Sequence, residues 1–277
     1  MISYIKEKYY WYKINQKLKL FFKNKKDSKI LLFGYPKSGN TWLRFLLYNY
    51  CNLLLNPNDD KTISFDQLNS LQNNVMDRGT IFNIVEGFPF FYRTHKIYEK
   101  PYDLFDKKIF VHRNPLDTLI SAYYFYKNRD IPFFDDPEYL RGRLHNIDFY
   151  VLFKIDHWIN FYNISIKHAD FVINYSQMKS NCKKEFLNLI KFLEWDLDEN
   201  LVEKSIEISS FKKVKKMGED NFQQYGNGPK DGSFKGEFTR SGEEGQFKKE
   251  LNKETIKKVL NKFPEFQNLY PNCIEKV

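Results

Sequence analysis

Residues 33–47, FGYPKSGNTWLRFLL, carry the first side chains that could do chemistry. Gly34 and Gly39 bracket YPKS, and Asn40 and Thr41 come directly after the second glycine. Glycines let a backbone approach an anion closely. The N–H groups of the loop and of a helix's first turn then converge on it, aided by the helix dipole. The glycine spacing is that of a nucleoside-triphosphate loop, but such a loop also needs Lys-Ser/Thr after its second glycine. Here those positions are Asn40 and Thr41, and the lysine is Lys37, inside the loop. Ordinary ATP or GTP binding is therefore disfavoured. A lysine on the rim lies beside the bond between a cradled phosphate and a transferred group. That place suits a cation stabilising a leaving oxygen without a metal.

VHRNPLDTLISAYYFY, 111–126, adds Arg113 at the end of a strand and Ser121 two turns into a helix. Arginine suits bidentate phosphate recognition. Two strand-to-helix units, each with a cation at a strand's carboxyl end, should meet at a switch point. Two phosphate sites on one ligand are then implied. No pair of acids announces a Mg²⁺ site. Asp103 and Asp117 are the acids to watch, and Asp117 reads as a helix-start or structural acid. His95 lies near a strand end, where position alone favours a structural role. His112, His145, His157 and His168 also read as structural, and His112 is close enough to Arg113 to line a pocket.

The scaffold beneath these groups can be read from pattern. KILLF, 29–33, reads as a buried parallel strand. Residues 40–50 form a helix that is apolar almost all round, hence buried. Residues 56–80 read as loop plus a short helix, and 81–85, 90–95 and 108–112 as strands. Residues 114–126 start a helix with Pro115 in its first turn, where the missing N–H costs nothing. The stretch 129–148 suits a surface loop. Val151, Ile155, Trp158, Ile159 and Tyr162 form a helical stripe, 170–174 a strand, and Phe186, Leu189, Ile190 and Leu193 a further stripe. The glycine-rich stretch 218–245 is long for a structureless loop, and such loops are usually lids or disordered. A last helix carrying Ile256, Val259, Leu260 and Phe263 is stopped by Pro264. The pattern predicts an α/β fold: three layers, a mainly parallel sheet flanked by helices, with a P-loop-like opening. One domain is expected over 1–277, with a basic amphipathic segment at 1–28 and a lid at 218–245.

With 277 residues and 42% hydrophobic content, a core is attainable and global disorder is not expected. The net charge of +9 admits nucleic acid, an anionic membrane or a polyanionic small ligand as partner. Lysine-rich residues 1–26 read either as an amphipathic helix on an anionic membrane or as a solvated helix docked on the domain. Three scattered cysteines without a CxxC argue against a disulfide framework or a zinc site. With no long apolar run and no signal-peptide core, the expected location is the cytoplasm, with peripheral membrane contact as the variant.

YPKSGNTW resembles the 5′-phosphosulfate loop of the sulfotransferases that use 3′-phosphoadenosine 5′-phosphosulfate (PAPS). RNPLDTLISAYYFY resembles their 3′-phosphate motif, and YRTHK the segment with their catalytic histidine. NYSQMKSN, SSFKKVKK and FTRSGEEGQFKKEL resemble later blocks in the same order, so the likeness spans about 29–263. The resemblance implies that Lys37, Ser38, Gly39, Asn40, Thr41 and Trp42 hold the 5′-phosphosulfate, with Trp42 near adenine. Arg113 and Ser121 would hold the 3′-phosphate. Tyr175 and Ser210 would contact adenosine, and Phe211 would stack on it. Arg240, Ser241 and Gly242 would close over the 3′-phosphate from the lid. His95 would be the general base, with Lys37 and Ser121 completing the catalytic set. No metal is implied; the product is adenosine 3′,5′-bisphosphate (PAP).

The chain departs from the family pattern at Arg93, where a lysine is usual, at Ser241 within Arg-Lys-Gly, and at Gln246-Phe247-Lys248 in place of Asp-Trp-Lys. Arginine and lysine are not equivalent, so an auxiliary lysine role does not carry over. The acceptor is expected to be a small molecule, glycan or lipid hydroxyl, or else an amine, and no nucleic-acid partner is expected. Its pocket is expected from 60–105, 129–150 and the lid, with Phe88, Phe90, Phe91, Phe133 and Phe134 as an apolar wall. The competing readings are a P-loop nucleotide kinase and a basic membrane- or RNA-binding module. The oligomeric state is left open.

Overall fold

The structure is a computed structural model. It describes Tyr9, Tyr12, Gln16 and Lys19 and residues 29–59, 61–74, 88–97, 100–127, 145–220 and 241–271. The predicted strand 81–85, nearly all of the 129–148 loop, Arg240, most of the lid, and the 1–26 helix apart from four residues lie outside these.

Five strands pair in the order β2-β3-β1-β4-β5, and every pairing among them is parallel. They are β1 (Lys29–Gly34), β2 (Gln72–Asn74), β3 (Phe90–Thr94), β4 (Lys107–His112) and β5 (Phe171–Asn174). The edge strand β2 is an addition to the predicted loop and helix of 56–80. Its three polar residues carry no apolar run to betray it.

Side chains alternate across the sheet, so β1 feeds two cores. Ile30 and Leu32 pack with Leu43 and Leu47 of α1 (Asn40–Leu55), Leu68 of α2 (Phe65–Leu71) and Leu189 of α6 (Cys182–Leu193), all in one cluster. Leu31 and Phe33 face the other layer. There they join a cluster holding Leu119 of α3 (Pro115–Lys127), Trp158 of α4 (Ile147–His168) and Val259 of α10 (Lys253–Lys262). The result is the expected three-layer α/β arrangement.

Helix starts follow local chemistry. Asn114 Oδ1 accepts from the N–H of Leu116 at 2.9 Å, so Pro115 can open α3 without a missing bond. Asn146, Asp198 and Asn252 cap α4, α7 (Glu199–Ile208) and α10 through backbone N–H groups. Helices α5 (Tyr175–Ser180), α8 (Phe211–Asp220), α9 (Phe247–Glu250) and α11 (Phe266–Leu269) are the remaining α-helices among the described residues.

Phe91 is a correction. The sequence placed it on the wall of an acceptor pocket, but it is fully buried between the sheet and its helices, edge-on to Tyr48 and Trp195. On a strand buried from both sides, a phenylalanine's period alone does not say whether it meets a pocket or the core. Phe133 and Phe134 lie outside the described residues.

Candidate active site

Three neighbouring strands end on one side of the sheet. Phe33 is in register with Thr94, and Gly34 with Val111. The residues following β3, β1 and β4 therefore emerge together, and they include His95, Lys37 and Arg113. The chain turns to opposite sides of β1, toward β3 and toward β4, so this is a topological switch point. A cleft of about 500 Å³ opens there, lined among others by Lys37, His95 and Arg113.

The loop after β1 leads into the first turn of α1. Lys37 and Gly39 both have left-handed backbones, with φ of 73° and 102°. A Cβ at Gly39 would sit 2.5 Å from the Tyr175 ring, so only glycine lets the loop pass there. Gly39 is the N-cap of α1 and no side chain caps it. The first helical bond is from the Leu43 N–H to the Gly39 carbonyl, at 3.2 Å. The N–H groups of Asn40, Thr41 and Trp42 precede that bond and form the positive end of the helix. Ser38 Oγ and Asn40 Oδ1 are buried without a hydrogen-bond partner. The Lys37 ammonium stands 4.4 Å over the Phe125 ring.

Arg113, 5% exposed, packs its guanidinium 4.8 Å over Tyr175 and donates to the Glu243 carbonyl. Its Nε has no partner. The segment 241–247 is strapped across this end. Tyr175 Oη and Lys179 Nζ both donate to the Gly242 carbonyl, at 3.1 and 2.8 Å. Asp117 accepts from the N–H groups of Gly245 and Phe247, at 2.7 and 3.2 Å. It is thus a structural acid. Burial raises its carboxyl pKa, while Arg113 and these two N–H groups pull the other way. Gly242, at φ 62°, lies against Phe211, where a Cβ would come within 2.5 Å of the ring.

His95 Nδ1 is 2.8 Å from the Gly34 carbonyl. A carbonyl oxygen only accepts, so Nδ1 carries the proton and Nε2 the lone pair. The residue is exposed to the cleft, and the protein around it still strips part of the ring's hydration. That desolvation lowers its pKa to about 4. The Gly34 bond opposes the shift, and Arg93, Arg44 and Lys37 add to it. The ring is therefore neutral at pH 7.

Of the residues singled out by sequence, Lys37, Gly39, Asn40, Thr41, Trp42, His95, Arg113, Ser121, Tyr175, Phe211, Ser241 and Gly242 line the one cleft. Ser38 is buried beneath the loop, and Ser210 precedes α8; neither is among the lining residues. Trp42 is held by a bond from its indole N–H to the Ser209 carbonyl, 3.1 Å, and meets Tyr175 edge-on. The cleft also gathers Arg44, Phe65, Asn69, Phe125 and Tyr126, which sequence reasoning passed over. Arg44 had a signal: it is the one cation in a helix otherwise read as apolar almost all round.

The family model described as the sulfotransferase domain matches residues 27–267.

The chain belongs to the sulfotransferase family.

This sulfotransferase is 24% identical over 211 residues to sulfotransferase 1A1 of Canis lupus familiaris, covering 70% of this chain and 68% of that one. It is 26% identical over 216 residues to sulfotransferase 1 family member D1 of Mus musculus, again covering 70% and 68%. Mouse sulfotransferase SULT7A1, solved with PAP, shares the fold at a TM-score of 0.58 and 17% identity, over 90% of this chain and 89% of that one. Retinol dehydratase, solved with androsterone and PAP, does so at a TM-score of 0.61 and 14% identity, over 86% and 80%. Among the described residues of this sulfotransferase, no three or more His, Cys, Asp or Glu are grouped to hold a metal ion.

Proposed function

We propose that this sulfotransferase moves a sulfuryl group from PAPS to an acceptor hydroxyl, with His95 as general base. One observation carries the reading. Lys37, His95 and Arg113 are delivered by the ends of three adjacent strands into a single cleft, and none of the described residues lining it is acidic. Such a cleft suits a donor bearing phosphate at both the 5′ and the 3′ position of its ribose.

The residues fit that donor. The first-turn N–H groups of α1, with the buried Ser38 hydroxyl, would seat the 5′-phosphosulfate. Arg113, whose Nε has no protein partner, would hold the 3′-phosphate with Ser121. Trp42, Tyr175 and Phe211 offer aromatic surface for the adenosine. When bound, PAPS supplies the activated sulfuryl group. Lys37 stabilises charge at the oxygen that leaves, an electrostatic role that a fixed cation performs without reorganisation. His95 Nε2, free of the Gly34 bond, takes the acceptor's proton. An amine is the secondary acceptor class. Phe65, Phe125 and Tyr126, which also line the cleft, suit an acceptor with an apolar body.

Calorimetric titration tests the donor. PAP should bind far more tightly than ATP and without Mg²⁺. Equal affinity for the two, or a requirement for Mg²⁺, would overturn the assignment. An acceptor screen by mass spectrometry in the presence of PAPS then identifies the sulfated class.

A further inference from the structure

Two further cations, Arg44 and Arg93, line the cleft beside Lys37 and Arg113. Arg44 lies one turn into α1, on the same side as Asn40 and Thr41, and is only 4% exposed. Its guanidinium donates to the Leu68 carbonyl and to Asn69 Oδ1, each at 3.2 Å, and both acceptors are neutral. Its Nε is buried with no hydrogen-bond partner. Arg93 is the penultimate residue of β3, two residues before His95. Both arginines line the cleft with His95, and none of the described lining residues is acidic.

The cleft has two ends. Arg113 follows β4, Ser121 lies on α3 and Tyr175 opens α5. Arg44 instead bonds to α2, which runs directly into β2 at the opposite edge of the sheet. Asn69 and Phe65 of α2 line that end. Placing a cation where neutral carbonyls are its only acceptors is costly, and a second like charge adds to the cost. Burial first, then Arg93, disfavours charge on Arg44, yet a guanidinium does not give up its proton in a protein. The cost is relieved when an anion arrives.

We propose that the acceptor carries its own oxyanion, a carboxylate or a phosphate, which Arg44 and Arg93 hold while its hydroxyl faces His95. This rests on the sulfuryl-transfer reading above. It narrows the acceptor class to hydroxyl compounds with an anionic group and an apolar body that can lie along Phe65, Phe125 and Tyr126.

The experiment uses the full chain loaded with PAP and three probes differing in one group: 4-hydroxyphenylacetate, 4-hydroxyphenyl phosphate and 4-hydroxyphenylacetamide. At least one anionic probe should bind about tenfold or more tightly than the amide, the scale of a charge-assisted hydrogen bond. The better anion tells carboxylate from phosphate. Arg44→Gln should bring the ratio near one, and Arg44→Lys should restore part of it. Sulfuryl transfer from PAPS should show the same preference, mainly in KM. A ratio of one or less in the unmodified protein overturns the proposal, as does no binding of any probe to PAP-loaded protein. A ratio that survives in both Arg44→Gln and Arg93→Gln also overturns it, and the second variant covers failure of the first to fold. Failure of PAP itself to bind would instead strike the sulfuryl-transfer reading.

Discussion

At His95 one contact decides the chemistry. The Gly34 carbonyl fixes the tautomer, and the crowded ring is kept neutral. His95→Ala should lower kcat by ~10²–10⁴-fold, the usual worth of a positioned base, while PAP affinity holds. The pH profile carries a sharper signature. The base works only unprotonated, so kcat/KM for the donor should fall as pH drops through the pKa of His95. That pKa is lowered to about 4, so the acid limb should lie well below the ordinary histidine value of 6.5. An acid limb at 6.5 or higher would count against His95 as the base of the free enzyme. Arg113 acts differently. Its unpartnered Nε is buried, and Arg113→Ala should weaken PAP binding roughly tenfold or more, the scale of a charge-assisted bond, as read by calorimetry.

At the level of elements, the strap 241–247 is the piece most dependent on others. Asp117, on α3, holds two of its N–H groups, and Tyr175 and Lys179, on α5, hold the Gly242 carbonyl. Asp117→Ala would leave two N–H groups without their acceptor, at roughly 1–3 kcal/mol each. For a chain of this size that should lower Tm by about 5–10 °C in a thermal melt. PAP affinity should fall in parallel, because Arg113 donates to the same strap at Glu243. Unchanged PAP binding in a destabilised Asp117→Ala protein would separate the strap from the donor site. The helices were legible wherever apolar residues recurred at helical spacing, as in α4 and α6. β2 and α7 were not: the first is three polar residues, and the second was passed over despite Leu201, Val202 and Ile208.

For the molecule as a whole, stability should depend on pH through the histidines whose pKa the fold lowers. His112 lies on β4 with Nδ1 2.6 Å from Tyr270 Oη, and burial lowers its pKa to about 4. Between 6.5 and 4 the unfolded chain takes up this proton and the folded chain does not. The stabilisation is thus complete above 6.5 and is lost as pH falls toward 4. His95 adds in the same direction. Tm should therefore drop across this window, and His112→Asn, which cannot take up that proton, should show a flatter profile by differential scanning calorimetry. The structural role that sequence assigned to His112 agrees with this burial. Its nearness to Arg113 did not place it among the residues lining the cleft.

Short-range chemistry was readable from residue order alone. The loop with Lys37, the strand-to-helix unit with Arg113 and the place of Pro115 in a helix's first turn depend on neighbours a few positions apart, and local backbone geometry makes such patterns visible. Assembly belonged to the fold. Parallel register put the ends of β3, β1 and β4 side by side, so His95, Lys37 and Arg113 share a cleft across 76 sequence positions. The same packing turned Phe91 into core and Arg44 into a cleft residue. No periodicity separates those fates, because a side chain on a doubly covered sheet or a buried helix is surrounded on every side, and only the layer it meets decides what it touches.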